Sequence, residues 1–305
     1  MPDDRVNAAA CTLTAGDLEA VFLPAQGMLG ASLRHHGVEV LRRVSDLQTA
    51  AAKGSTAGIA LLHPWANRLG GIRYRAAGRN VQLDASWPML HLDVHGLPMH
   101  GVPWSRLAWE PIESQRNRLS ARLEWSRADL LDIFPFPHRL ELTATLSPET
   151  LTLETALIAG PDGPVPVSFG FHPYFGIANV PRAAWRLELP AMHRLLSDER
   201  GIPNGAQEPW NHFDSEIGAR SFDDGFALLD GCRSFSLTGG DLRITVEFLA
   251  GYPYAQIFAP DEQEFVAIEP MTAPANALMS GHGLRLIAPR ERFEAAFRVR
   301  VEAQP

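Results

Sequence analysis

Hydrophobic and polar residues alternate with a period of two wherever this chain shows a regular pattern. Leu119, Ala121, Leu123 and Trp125 are interleaved with Ser120, Arg122 and Glu124, and Leu140, Leu142, Ala144 and Leu146 with Glu141, Thr143 and Thr145. The same alternation runs through Leu242, Ile244, Val246 and Phe248, and through Phe293, Ala295, Phe297, Val299 and Val301. Successive side chains of a strand point to opposite faces, so each segment reads as a strand with one face in a core and one in water. Shorter apolar stretches predict strands over 185–189, 255–259 and 265–269. Helical periodicity is poor, and its best stretch, 43–52, is short. Parallel sheets need crossover helices that the pattern lacks, which leaves antiparallel pairing and an all-β sandwich. No internal repeat or linker-like tract divides the chain, so one domain is expected over 1–305.

Composition sharpens this picture mainly by exclusion. The 305 residues, 46% of them hydrophobic, suffice for a substantial core. The 25 glycines and 24 prolines favour a turn-rich β protein. A formal charge of −8 without any Lys/Arg block removes the electrostatic footprint of nucleic-acid or anionic-membrane binding. Cys11 and Cys232 form neither a disulfide framework nor a thiolate metal site. The opening Met1-Pro2-Asp3-Asp4-Arg5 carries acids where a signal peptide carries bases, so the expected location is the cytoplasm. The longest uncharged stretch, 163–181, is broken by three prolines and predicts no membrane helix. Lys53 is the only lysine, so Schiff-base chemistry would rest on it alone. The order Lys53-Gly54-Ser55 is not that of a phosphate-cradling loop.

Four segments break the alternation by setting polar residues in apolar or rigid surroundings. They are His63-Pro64-Trp65-Ala66-Asn67-Arg68-Leu69-Gly70-Gly71, Gly96-Leu97-Pro98-Met99-His100-Gly101, Phe169-Gly170-Phe171-His172-Pro173-Tyr174-Phe175, and Ala267-Ile268-Glu269-Pro270-Met271-Thr272-Ala273-Pro274-Ala275-Asn276. His172 sits among aromatics, where a charged imidazolium is disfavoured, and Pro173 presents it from extended backbone. Glu269 ends an apolar run, and a buried carboxylate demands a partner. His100 lies in a rigid turn. Asn67 and Arg68 form a planar polar pair suited to hydroxyl recognition. His91, His95 and His100 invite a metal reading, but Pro88, Gly96 and Pro98 break any helix that could align them, and no metal site is expected.

In order and composition these segments resemble the aldose 1-epimerase, or galactose mutarotase, superfamily. Asn-Arg comes early, then His-Gly, then His-x-Tyr-Phe, then Glu-Pro near the end, over roughly residues 20 to 300. The resemblance implies a large antiparallel β-sandwich with a sugar cleft on its concave face, a small sugar as partner, and no cofactor. It assigns His172 as general acid, Glu269 as general base and His100 as a second active-site histidine near the sugar ring oxygen. Asn67, Arg68, Asp223 and Gln256 would bind the sugar, with Asp224 close enough to compete with Asp223. The implied reaction is interconversion of the α and β anomers of an aldohexose. Phe-His-Pro-Tyr-Phe in place of Asn-His-Thr-Tyr-Phe, and Val102 after His100-Gly101, look more like the subgroup that includes hexose-6-phosphate mutarotases. Arg68, Arg73, Arg75 and Arg79 could then serve a phosphate. Two further readings are a glycosidase using Glu269 with Asp223 or Asp224, which leaves the histidines without roles, and a non-catalytic carbohydrate-binding protein.

Overall fold

Every strongly alternating segment pairs into one sheet. In a computed structural model describing residues 10–42, 47–52 and 55–304, the strands Arg118–Trp125, His138–Leu146, Leu242–Ala250 and Arg292–Ala303 belong to a nine-stranded antiparallel sheet. Register pairs Leu142 with Ala121 and with Thr155, and Val246 with Val299, so the apolar positions line up across it. Their burial alternates as the sequence does: in His138–Leu146 every second residue is buried and those between are half-exposed.

The second large sheet has eleven strands, again antiparallel. Its main path runs Cys11–Ala15, Leu18–Leu23, Leu29–His35, Ile59–Leu62, Gly170–Phe175, Val266–Met271, Tyr254–Ala259, Phe222–Leu228, Met192–Ser197 and Pro203–Trp210, with Val38–Glu39 paired to the third. Its central strands are buried on both faces. Ile59–Leu62, Gly170–Phe175 and Val266–Met271 contain no exposed residue at all, which is why they show no alternation. One hydrophobic cluster takes residues from both sheets; Phe171 meets Phe297 across it at 5.2 Å between ring centroids. The architecture is the β-sandwich expected. The predicted strand 265–269 runs instead as Val266–Met271, straight through Pro270, and 185–189 as Arg186–Leu189.

Helices are short: Leu47–Ala52, within the predicted 43–52, Ala128–Ile133 and Ala277–Ser280. Residues 43–46, Lys53 and the opening Met1–Arg5 lie outside the described residues. No helix among the described residues is long and apolar enough to cross a membrane.

Candidate active site

Alternation inside the doubly buried strands decides which side chains face the cleft. Phe171 and Phe175 point into the inter-sheet core, while His172 and Tyr174 point away from it. The register that pairs Gly170 with Met271 and Tyr174 with Ala267 sets His172 directly across from Glu269, and Glu269 is paired in turn with Gln256. His172 Nε2 and Glu269 Oε1 are 3.2 Å apart, with the two side chains only 5% and 2% exposed. Two residues more than ninety positions apart in the chain thus meet because their strands are neighbours.

All seven residues singled out for chemistry line one cavity of about 290 Å³: His172, Glu269, His100, Asn67, Arg68, Asp223 and Gln256. Asp223 shares the cavity face of its strand, and Gln256 donates from Nε2 to its Oδ1 at 2.7 Å. Asp224 points to the opposite face and meets Arg194 at 3.4 Å, which settles which of the two acids faces the cleft. Arg68 is aimed by three contacts: Nε donates to Asp93 at 2.7 Å, while Nη1 and the backbone N–H both reach Asn67 Oδ1. Asp93 is itself held by the backbone N–H groups of His95 and Leu97.

Asn67 and His100 bind one another reciprocally. The His100 N–H donates to the Asn67 carbonyl at 2.9 Å, and the Asn67 N–H donates to His100 Nδ1 at 3.2 Å. Both have left-handed backbones, φ 57° and 60°, uncommon for non-glycine residues and typical of sites where surrounding structure overrides local preference. Because Nδ1 accepts, the ring proton resides on Nε2, which makes His100 a donor. Burial, with Arg68 and His91 adding to it, pushes the His100 imidazole down to about 3, so it stays neutral.

Desolvation dominates Glu269 and His172 as well. Burial pushes the Glu269 carboxyl well above the ordinary carboxylate range, Asp223 adds to this and Arg68 opposes it. Burial, then His100, push His172 well below its ordinary value. The residue's own backbone opposes that shift, and Nδ1 is buried with no hydrogen-bond partner among the described residues. The groups within reach of His172 Nε2 are Glu269 Oε1 at 3.2 Å and the Tyr174 hydroxyl at 3.1 Å. Glu269 Oε2 is buried with no hydrogen-bond partner either, an acceptor in the cavity that a hydroxyl can satisfy.

Several cavity residues were assigned no part in the site by the sequence reading. Tyr174 stacks on His172 with centroids 4.1 Å apart and 14° between planes, and its hydroxyl lies 3.1 Å from His172 Nε2 and against Thr56 Oγ1. Phe258 meets the imidazole edge-to-face, with centroids 6.2 Å apart. Both follow a named residue by two positions, His172 and Gln256, so strand periodicity was a signal for them. Arg42, Ser55, Thr56, His91 and Met99 come from loops that only the fold brings in. The arginine segment is not assembled at the site. Only Arg68 lines the cavity, whereas Arg73, Arg75 and Arg79 belong to the separate hairpin Arg73–Ala76 and Arg79–Gln82. Among the described residues no three His, Cys, Asp or Glu side chains are grouped to hold a metal ion.

Comparisons with known proteins agree with this architecture. Residues 10–300 match the family model described as aldose 1-epimerase. An Escherichia coli K12 protein, the uncharacterized protein YihR, is 24% identical over 246 residues, covering 74% of this chain and 73% of its own. Among solved structures, a putative aldose 1-epimerase of Escherichia coli K12 superposes with a TM-score of 0.78 at 21% identity, over 97% of this chain and 99% of that one. A galactose mutarotase-like protein of Clostridium acetobutylicum gives 0.84 at 16% identity, over 96% and 95%.

Proposed function

From the premise that this chain belongs to the aldose 1-epimerase family, we propose that it interconverts the α and β anomers of an aldose, with Glu269 and His172 as the proton-transfer pair. The observation that carries this reading is the 3.2 Å contact between a buried carboxylate and a buried imidazole at the wall of a cavity whose lining also includes Asn67, Arg68, Asp223 and Gln256, groups able to bind hydroxyls.

The two oxygens that exchange protons in mutarotation, the anomeric hydroxyl and the ring oxygen, are bonded to the same carbon. A base and an acid in van der Waals contact can therefore address both at once. Glu269 removes the hydroxyl proton while His172 delivers one to the ring oxygen, and the C1–O5 bond breaks to give the aldehyde. Rotation about C1–C2 presents the other face of the carbonyl, and closure returns both protons. Opening converts imidazolium and carboxylate into imidazole and carboxylic acid, so the pair holds one proton before and after. Low dielectric favours the neutral form, while mutual attraction favours the charged one. Opposed in this way, the two forms are brought closer in free energy, as a reaction that runs through both requires. Neutral His100, donating from Nε2, would hold the sugar in place, with Asn67, Arg68, Asp223 and Gln256 on its hydroxyls.

A sugar 6-phosphate is a second reading, on a different basis from the arginine segment. The exposed Arg42 lines the cavity next to Tyr174, its guanidinium 4.5 Å over the Phe265 ring, with no carboxylate partner among the described residues. The C6 substituent of an aldohexose hangs beside the ring oxygen, hence at the His172 end, within Arg42's region. Polarimetry of freshly dissolved α-D-glucose, α-D-galactose and glucose 6-phosphate tests both readings. Accelerated mutarotation of a free hexose supports the first, strong preference for the phosphate supports the second, and a rate equal to buffer for all three sinks both.

A further inference from the structure

Tyr174 follows His172 by two positions on the same face of its strand, and its geometry is fixed from several sides. Its ring stacks nearly parallel on the imidazole at 4.1 Å, which brings its hydroxyl to 3.1 Å from His172 Nε2. Its backbone N–H donates to the Gly58 carbonyl at 3.1 Å, and its hydroxyl meets Thr56 Oγ1 on the same segment. That segment is itself pinned. Trp104, almost fully buried, donates from Nε1 to the Ser55 carbonyl at 2.9 Å. Gly58, with φ 55°, packs so closely on the Gly30 carbonyl that a side chain there would run into it.

Among the described residues the Tyr174 hydroxyl has two partners, one ring nitrogen and one hydroxyl. Burial pushes the phenol above its ordinary range, with Glu269 adding to this and Thr56 and Arg42 opposing it, so it keeps its proton. A neutral hydroxyl can give or take a hydrogen bond, and His172 Nε2 needs each by turns. As part of an imidazolium it has a proton to donate. Once that proton has gone to the sugar, it is a bare lone pair, with the remaining ring proton on Nδ1. A buried nitrogen left unpaired in either state is destabilised.

Resting on the acid–base reading above, we propose that Tyr174 and Thr56 are positioning residues that form a reversible hydroxyl pair, serving His172 Nε2 in both of its protonation states. Before ring opening the imidazolium donates to Tyr174 Oη, and Tyr174 donates to Thr56 Oγ1. Afterwards Thr56 donates to Tyr174, and Tyr174 donates to the bare nitrogen. Both O–H bonds turn, neither breaks, and the link between the hydroxyls is present in either arrangement. The second arrangement also protects the step just taken. Glu269 leaves ring opening as a carboxylic acid 3.2 Å from Nε2, and a phenol O–H on that nitrogen occupies the lone pair that would otherwise take the proton straight back. The transferred state is held while C1–C2 rotates.

Thr56 separates this role from packing, because two near-isosteres divide its properties. Thr56→Val keeps the shape and loses the hydroxyl, whereas Thr56→Ser keeps the hydroxyl and loses a methyl. The substrate is whichever of α-D-glucose, α-D-galactose and glucose 6-phosphate the wild type turns over fastest. Valine should lower kcat about tenfold, the worth of one hydrogen bond, with the calorimetric Kd of that sugar unchanged, and serine should restore the rate to within about twofold of wild type. Tyr174→Phe, which keeps the stacked ring, should lose at least as much as valine, and the double variant no more than Tyr174→Phe alone, since Thr56 acts through the phenol. A serine variant as slow as valine, a valine variant at full speed, additive losses, or sugar binding weakened in step with the rate would each overturn the proposal. The ring-nitrogen NMR signals of His172, in protein carrying isotopically labelled histidine, read the pair without turnover. They should move in Tyr174→Phe and Thr56→Val and stay in place in Thr56→Ser. That pattern in a protein that speeds no sugar would uphold the hydroxyl pair and sink the acid–base reading alone. Signals unmoved by all three changes would sink the pair.

Discussion

The two sheets solve the problem of charge in opposite ways. In the nine-stranded sheet one face is wet, and its charged residues stand there in cross-strand pairs such as Arg292 with Glu141 at 2.8 Å, both partly exposed. In the centre of the eleven-stranded sheet both faces are covered, and the charge-bearing residues, His172 and Glu269, are forced onto each other. Pairs of the first kind contribute little to stability, because water already solvates them. Pairs of the second kind are costly to bury and displaced far from their ordinary protonation ranges, which is the property acid–base chemistry uses.

The comparison is broken most forcefully by substitutions at the buried pair. Glu269→Gln and His172→Asn should each lower the rate of mutarotation by about 10²–10⁴-fold with the thermal midpoint near that of wild type. Near-normal rates in either variant would refute their assignment. A core residue of the other sheet should behave in the reverse sense. Phe297, fully buried, should on change to alanine cost about 3–5 kcal/mol in denaturant unfolding, with the folded fraction turning over normally.

Acid separates the sheets through a third element that joins them. His63, just past the strand Ile59–Leu62, donates from Nε2 to His138 Nε2 at 2.9 Å, and His138 Nδ1 donates to the Phe136 carbonyl at 2.6 Å, inside an aromatic cage of Trp125, Phe134 and Phe169. Burial pushes His138 down to about 4 and His63 well below its usual value. In the unfolded chain both titrate near 6.5, so as pH falls below that point the unfolded state takes up protons the folded state refuses. Stability is therefore lost between about pH 6.5 and 4, and His138 alone accounts for about 2 kcal/mol by pH 5. Unfolding free energies measured at pH 7, 6 and 5 should decline accordingly; a flat profile would contradict the assigned protonation. The smallest effect belongs to the wet face. Glu141→Gln should change stability by less than about 1 kcal/mol and the rate not at all, as denaturation and polarimetry can check.

The same contrast governs what could be read from the sequence. Strands such as His138–Leu146 and Arg292–Ala303 were legible because solvent on one face imposes a period of two. Gly170–Phe175 and Ile59–Leu62 were not, because apolar surroundings on both faces erase the alternation. What remained visible there was the exception: a histidine or glutamate in an apolar run, next to proline. His172 and Glu269 stood out on that ground, His100 through its rigid turn, Asn67 and Arg68 as a planar polar pair, and Asp223 and Gln256 through family resemblance. Thr56 and Arg42 carry no comparable local mark. They lie beside the cavity because of how distant strands pair, which no short segment encodes.

The contact between His172 and Glu269 has a last consequence. In the proposed reaction the donor and acceptor touch and finish each half-reaction with the same number of protons they began with, so they owe nothing to bulk solvent between turnovers. They need no channel to the surface, and the rate at saturating sugar should be indifferent to the concentration of buffer.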